Sequence, residues 1–168
     1  MGYSAKAAAN YFLSKYRKHG ITPLKIQKLV YIAHGWHLAY FDKPLVEDED
    51  AEAWEFGPVF PSLYHEFKYR GRMPIIELAT ILSIKDRKNL SFEKKIPNIL
   101  KSDNQTIQLL DTIWEVYGNL TGAALSSLTH RENSPWAEVR AESNGKRNTN
   151  IDNEIIKKYY KKLKSSGK

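Results

Sequence analysis

Apolar residues in this chain recur mostly at three- and four-residue intervals, the period of a helix face. Ala5, Ala8, Ala9, Phe12, Leu13 and Tyr16 predict a first helix from Ser4 to about Lys18, capped by Ser4 and closed by Gly20. Thr22 as N-cap and Pro23 at the first helical position open a second helix that runs to about Tyr40. Ile26, Leu29, Val30, Ala33, His37 and Tyr40 form its main stripe. Leu24, Tyr31, Ile32, Trp36 and Leu38 widen that stripe to most of the circumference, which predicts a central helix. Lys25 and Lys28 are expected at its wet edge, and Asp42-Lys43-Pro44 ends it.

The period then shortens. Ala51, Ala53 and Glu55 alternate with Glu52, Trp54 and Phe56, which predicts a short strand, with Gly57-Pro58 as the turn after it. Pro61 opens a third helix over Ser62 to Tyr69, closed by Gly71. Residues 72–102 are less periodic: Ile75-Ile76 and Ile81 to Ile84 suit either short strands or a short helix. Lys85 to Lys95 read as a polar surface excursion. Helical spacing returns after Asp103 with Ile107, Leu110, Ile113, Trp114 and Tyr117, and Gly118-Asn119 stops it. Ala124, Leu125 and Leu128 predict a short helix before Thr129-His130, and Ser134-Pro135 starts another that carries Trp136, Val139 and Arg140. Lys146 to Asn150 read as a polar linker. Asp152 caps a last helix with Ile155, Ile156, Tyr159, Tyr160 and Leu163 facing inward. The fold class expected is mainly α (α+β): a bundle of six to seven helices with a small β element near 51–56 and 75–84 as a second candidate. The expected organisation is a domain over 1–145, with a basic helix at 146–168 packed on it or extending it.

The 168 residues, with 4 Trp, 10 Tyr and 6 Phe, suffice for one core. No run approaches the ~20 apolar residues of a membrane span. The N-terminus lacks a signal-peptide pattern and matches an acylation pattern only in part, since residue 6 is Lys. The absence of cysteine excludes disulfides and thiolate chemistry, and a cytoplasmic protein is expected. The net charge of +7 is uneven. Glu47, Asp48, Glu49, Asp50, Glu52 and Glu55 form an acidic run. Lys157, Lys158, Lys161, Lys162, Lys164 and Lys168 form a basic tail suited to phosphates, to an acidic protein, or simply to the negative end of its own helix.

Candidate chemistry is sparse. His34 and His37 share a helix face without a nearby carboxylate, so bonds within the fold explain them better than a metal. Glu66-Phe67-Lys68 with Asp50 resembles a nuclease element, placed here on a helix instead of the usual strand. Thr129, His130 and Ser134 lack a third group to orient the imidazole. The tail interleaves Tyr159 and Tyr160 with lysines as a single-strand binder does, although both tyrosines fall on the inward stripe. No cofactor is implied.

Three blocks carry a resemblance: Lys25 to Ala33 with Gln27, Lys28 and Tyr31; Ala53 to Val59 with Trp54, Gly57 and Pro58; and Leu125 to His130 with Thr129, followed by Ser134-Pro135-Trp136. Their order and spacing resemble the Panacea antitoxin domain, the SocA-like or GepA-like phage-associated family. The resemblance implies a mainly helical antitoxin that neutralises a cognate toxin by direct contact. Among the toxins of such families are translation inhibitors of the small alarmone synthetase type, and one branch delivers its toxin to a protease. In some members an added N-terminal region selects the toxin. Here the match begins almost at Met1, so recognition is expected from the domain itself or from the segment after about residue 145. The block residues read as fold determinants. Partner contacts are expected from Glu47, Asp48, Glu49, Phe60, Tyr64, Tyr69 and the tail. The acidic run, as a mimic of phosphates, is preferred over the tail. Homo-oligomerisation and a nucleic-acid-binding regulator that uses the basic helix remain secondary readings, and no membrane partner is expected.

Overall fold

Helix α2, Pro23–Phe41, is the axis of the protein: every residue from Lys25 to Ala39 is buried. A computed structural model describes residues 2–167. Met1 of the partial acylation pattern and Lys168 of the tail lie outside the described residues. Six further helices are described: α1 Ala5–Tyr16, α3 Pro61–Phe67, α4 Asn104–Tyr117, α5 Gly122–Thr129, α6 Pro135–Glu142 and α7 Asn153–Ser165. Of these α1, α3, α4, α5 and α7 pack directly on α2. The mainly helical α+β class is therefore the observed one.

The helix starts follow their caps. Ser4 Oγ accepts from Ala7 N at 3.1 Å, and Thr22 Oγ1 from Lys25 N at 3.3 Å. Asp103 Oδ1 accepts from Thr106 N at 3.1 Å, and Ser134 Oγ from Ala137 N at 3.2 Å. The buried alanines Ala5, Ala7, Ala8 and Ala9 let α1 lie close to its neighbours. A 3-10 turn, Arg17–His19, follows α1 and ends at Gly20, in the left-handed conformation. No described helix is long and apolar enough to cross a membrane.

A three-stranded antiparallel sheet covers one side of the bundle in the order β2 (Gly57–Val59), β1 (Ala51–Trp54), β5 (Thr149–Ile151). Ala51 and Ala53 point into the core, as their alternation predicts. Two expectations change here. Trp54 pairs with Gly57, so the turn is Glu55-Phe56, and Gly57-Pro58 belongs to β2. The expected linker at Lys146 to Asn150 contains most of β5, which pairs with β1 in the register Ala51 to Ile151. A three-residue strand has no periodicity of its own, and only its pairing partner defines it.

Residues 72–102 meet expectation in part: Ile81 to Ile84 form a strand, one of the two forms they suit, while the rest differs. Ile75 is buried in extended chain, its N–H donating to Ile21 O at 2.8 Å, and forms neither strand nor helix. The polar excursion is half of a hairpin, β3 Ile81–Asp86 against β4 Ser91–Lys95. In α7, Ile156 and Tyr160 are buried while Ile155, Tyr159 and Leu163 are half-buried. Gly35 lets this helix approach α2: a Cβ at Gly35 would fall 2.2 Å from the Tyr160 ring. Tyr160 therefore lies in the core and cannot stack on a base.

Candidate functional site

The three sequence blocks converge on the β1–β2 hairpin and the segment after it. Side chains from α2, α5 and α6 donate to four of its backbone carbonyls, and the His130 ring just after α5 lies against a fifth. Trp136 Nε1 donates to Trp54 O at 2.6 Å, His130 places Nε2 3.3 Å from Glu55 O, and Ser126 Oγ donates to Phe56 O at 3.0 Å. Lys28 Nζ donates to Pro58 O at 2.9 Å. Gln27 closes the set with a two-point clamp: Nε2 donates to Phe60 O and Oε1 accepts from Phe60 N, both at 3.0 Å. The turn is thus held at several of its carbonyls, and the buried Pro58 and Phe60 oxygens find the donors that buried backbone groups need.

Gly57 is the contact point of this assembly. Its φ is +105°, and a Cβ there would fall 2.6 Å from Lys28 Nζ, 3.0 Å from the His130 ring and 3.1 Å from Thr129 Oγ1. Glycine is required for both backbone and space. Thr129 Oγ1 donates to Ser126 O at 2.9 Å, and the His130 ring packs on Trp136 with centroids 4.2 Å apart. Tyr31 is buried edge-on to Tyr160; its hydroxyl has no partner among the described residues, and burial raises its pKa.

The lysines expected at the wet edge of α2 are buried. A helix surrounded on every side has no wet edge, and a stripe in sequence does not reveal what covers the opposite face. Lys25 Nζ donates at 2.5 Å to Gly118 O, at the negative end of α4, and sits over the Trp114 ring at 5.2 Å. Lys28 is wholly buried with Pro58 O as its bonded acceptor, and burial lowers its pKa to about 7.

Most of the candidate catalytic groups are occupied by the fold, and Lys68 of the nuclease-like element is exposed at the edge of an open groove. His34 Nδ1 accepts from Val46 N at 3.2 Å and Nε2 lies 2.7 Å from Asn153 Oδ1, the neutral tautomer; burial lowers its pKa to about 4. His37 lies between Lys43 O at 2.7 Å and Thr106 Oγ1 at 3.2 Å. Glu66 accepts from Lys6 Nζ at 2.6 Å and from Thr80 N at 2.9 Å, and Asp50 accepts from Asn150 at 3.1 Å. The Thr129 and Ser134 hydroxyls serve helix ends. Among the described residues no three His, Cys, Asp or Glu side chains group as metal ligands.

The expected partner residues divide. Phe60 is fully buried, contrary to the surface role expected of it, because Gln27 pins its backbone and its ring packs against His34 at 5.6 Å. Asp48 accepts from Ala5 N at 3.2 Å in the first turn of α1. Glu49 holds the start of α3, accepting from Ser62 N at 2.9 Å and from the Ser62 hydroxyl; burial still raises its pKa. Glu47, Tyr64 and Tyr69 are on the surface.

Beside the clamped turn lies an open groove of about 620 Å³, lined by Leu24, Trp54, Phe56, Val59 and Tyr64, with Lys68 and Arg147 at its edge. Phe56 is 71% exposed at the tip of the turn. Leu24 and Phe56 were not singled out as contact residues from the sequence. An aromatic residue in a two-residue hairpin turn, where Gly, Asn and Asp are usual, was the available signal.

Fold and site define a small helical scaffold whose motif residues hold the β1–β2 turn in place. The family model for the antitoxin SocA-like, Panacea domain matches residues 26–137, which contain all three blocks except Lys25 at the start of the first. The chain belongs to this antitoxin family. Antitoxin SocA of Caulobacter vibrioides (strain NA1000 / CB15N) is 31% identical over 134 residues, spanning 79% of this chain and 68% of the relative. No solved structure matches.

Proposed function

We propose that this protein is a non-enzymatic antitoxin of the cytoplasm that silences its cognate toxin by direct protein contact, with the groove beside residues 54–57 as the contact surface. The exposed Phe56 ring carries the reading. It stands on a turn whose Trp54 and Phe56 carbonyls each accept from a side-chain donor, so little freedom is lost when a partner covers it. Tyr64 packs edge-on to Trp54 at 4.8 Å and supplies a second aromatic on the same groove. Of the acidic run, Glu55 lines the groove, makes no side-chain hydrogen bond or ion pair among the described residues, and is the acid offered to a basic toxin. A translation-inhibiting toxin of the small alarmone synthetase type is the first to try, on the strength of the resemblance.

Co-expression with the product of the adjacent gene tests this through growth rescue and co-purification. Rescue with a stable complex is the expected result. Phe56→Ser and Tyr64→Ser should each weaken the complex by about tenfold or more without changing the far-ultraviolet spectrum. Rescue without any complex would replace direct contact with repression or delivery to a protease.

A further inference from the structure

The hairpin β3–β4 presents an apolar side to solvent. Cross-strand partners share a face, so Ile84 with Phe92 and Leu82 with Lys94 form one side, while Ser83 with Glu93 and Ile81 with Lys95 form the other. Polar Ser83 and Glu93 are half-covered, whereas Leu82 is 72% and Phe92 59% exposed. Ile84 beside them is 53% exposed, so the apolar side of the ribbon stands open to solvent. The two strands pack chiefly on each other, and an isolated two-stranded ribbon is marginal in water. At the tip, Leu90 holds φ at +48° and is exposed, a left-handed position that Asn or Gly fills at lower cost.

The base of the hairpin is nonetheless firmly built. Asn10, fully buried in α1, donates to Ala79 O at 3.0 Å and to Pro97 O at 2.8 Å, and accepts from Ala79 N at 2.8 Å. One side chain thus clasps both legs. Lys6 Nζ and Glu66 hold Thr80 beside it. A firmly rooted arm that shows an apolar face is a presented surface.

Its charge selects the occupant. The segment 81–96 carries Lys85, Arg87, Lys88, Lys94 and Lys95 against Asp86 and Glu93. Asp86 is taken up by Lys88 N at 2.8 Å and Asn89 at 2.7 Å, and Glu93 by Lys95 at 2.9 Å. Two copies meeting through this arm would set like charges against each other, and lysines beside an open ribbon oppose such pairing. We infer that the 81–95 hairpin is a docking arm whose Leu82, Ile84 and Phe92 face covers an apolar patch rimmed by carboxylates on the cognate toxin. This inference rests on the antitoxin reading and adds a second contact to the groove.

The test compares the full chain with Leu82→Ser/Phe92→Ser and with Lys85→Glu/Lys94→Glu, all against the toxin encoded beside it. Affinity is read by titration calorimetry at two salt concentrations, and oligomeric state by sedimentation. The arm is supported if each double variant binds about tenfold or more weakly with an unchanged circular dichroism spectrum, and if the charge variant also loses the salt dependence. Wild type and both variants binding the toxin equally would overturn the arm and leave the antitoxin reading standing. Wild type neither binding nor rescuing would overturn both. Variants that turn a wild-type dimer into monomers at unchanged toxin affinity would assign the face to a second copy, and loss of RNA binding alone would assign it to nucleic acid. Either result overturns the proposal.

Discussion

Replacing the buried Lys28 with Met should remove a pH dependence of folding that the packing creates. An unfolded lysine titrates at 10.5 and the folded Lys28 at about 7, which separates the two protonation states by about 5 kcal/mol. The folded value is the lower one. Between the two values the unfolded chain therefore holds the extra proton, and stability rises with pH across that window. Below about pH 7 both states are protonated and the penalty is complete. Integration gives a gain of about 2 kcal/mol between about pH 7 and pH 9, roughly 1 M in the urea midpoint at a typical slope. The buried His34 and His37 have lowered values and act below this window, and the buried Tyr31 and Tyr160 have raised values and act above it. Lys25, also lowered by burial, is common to both proteins and cancels in the comparison. At neutral pH, Lys28→Met leaves Pro58 O without its donor, which costs about 1–3 kcal/mol, but it removes about 4 kcal/mol of charge burial. The variant should be at least as stable as the wild type near pH 7, and its gain in stability between pH 7 and pH 9 should be smaller than the wild type's by about 2 kcal/mol. Parallel profiles for the two proteins would refute the argument that Lys28 is desolvated in the fold.

Two further substitutions probe the packing. Gly35→Ala sets a methyl group against the Tyr160 ring and should cost about 1–3 kcal/mol, a fall in Tm of roughly 5 °C, by separating α7 from α2; an unchanged Tm would mean that this contact is loose. Asn10→Leu strands the Ala79 and Pro97 backbone groups, should cost about 3 kcal/mol, and should speed amide exchange across 81–95 more than across α4. Uniform exchange in that variant would show that Asn10 does not root the hairpin.

The residue pattern made the helices legible because capping and amphipathic spacing are local. Ser4, Thr22, Asp103 and Ser134 each cap the helix they precede, and Ala51 and Ala53 alternate inward as a strand should. The candidate site was legible as three blocks, each with an ordinary structural reason, and their order pointed to the family. It was not legible as a surface. Phe60 and Phe56 are both aromatic residues near a turn, yet one is buried under the Gln27 clamp and the other stands in solvent.

The sequence by itself determined where the helices start and stop, that α2 is the core helix, and that no thiol chemistry is available, because these depend on residue type and near neighbours. Tertiary structure alone decided the burial of Lys25 and Lys28, the recruitment of 149–151 as a third strand, the outward turn of Leu82 and Phe92, and the groove beside Phe56. Each of these depends on what another part of the chain places opposite. A lysine on a helix is wet or dry according to the carbonyl it meets, and Lys28 meets Pro58 thirty positions away in sequence.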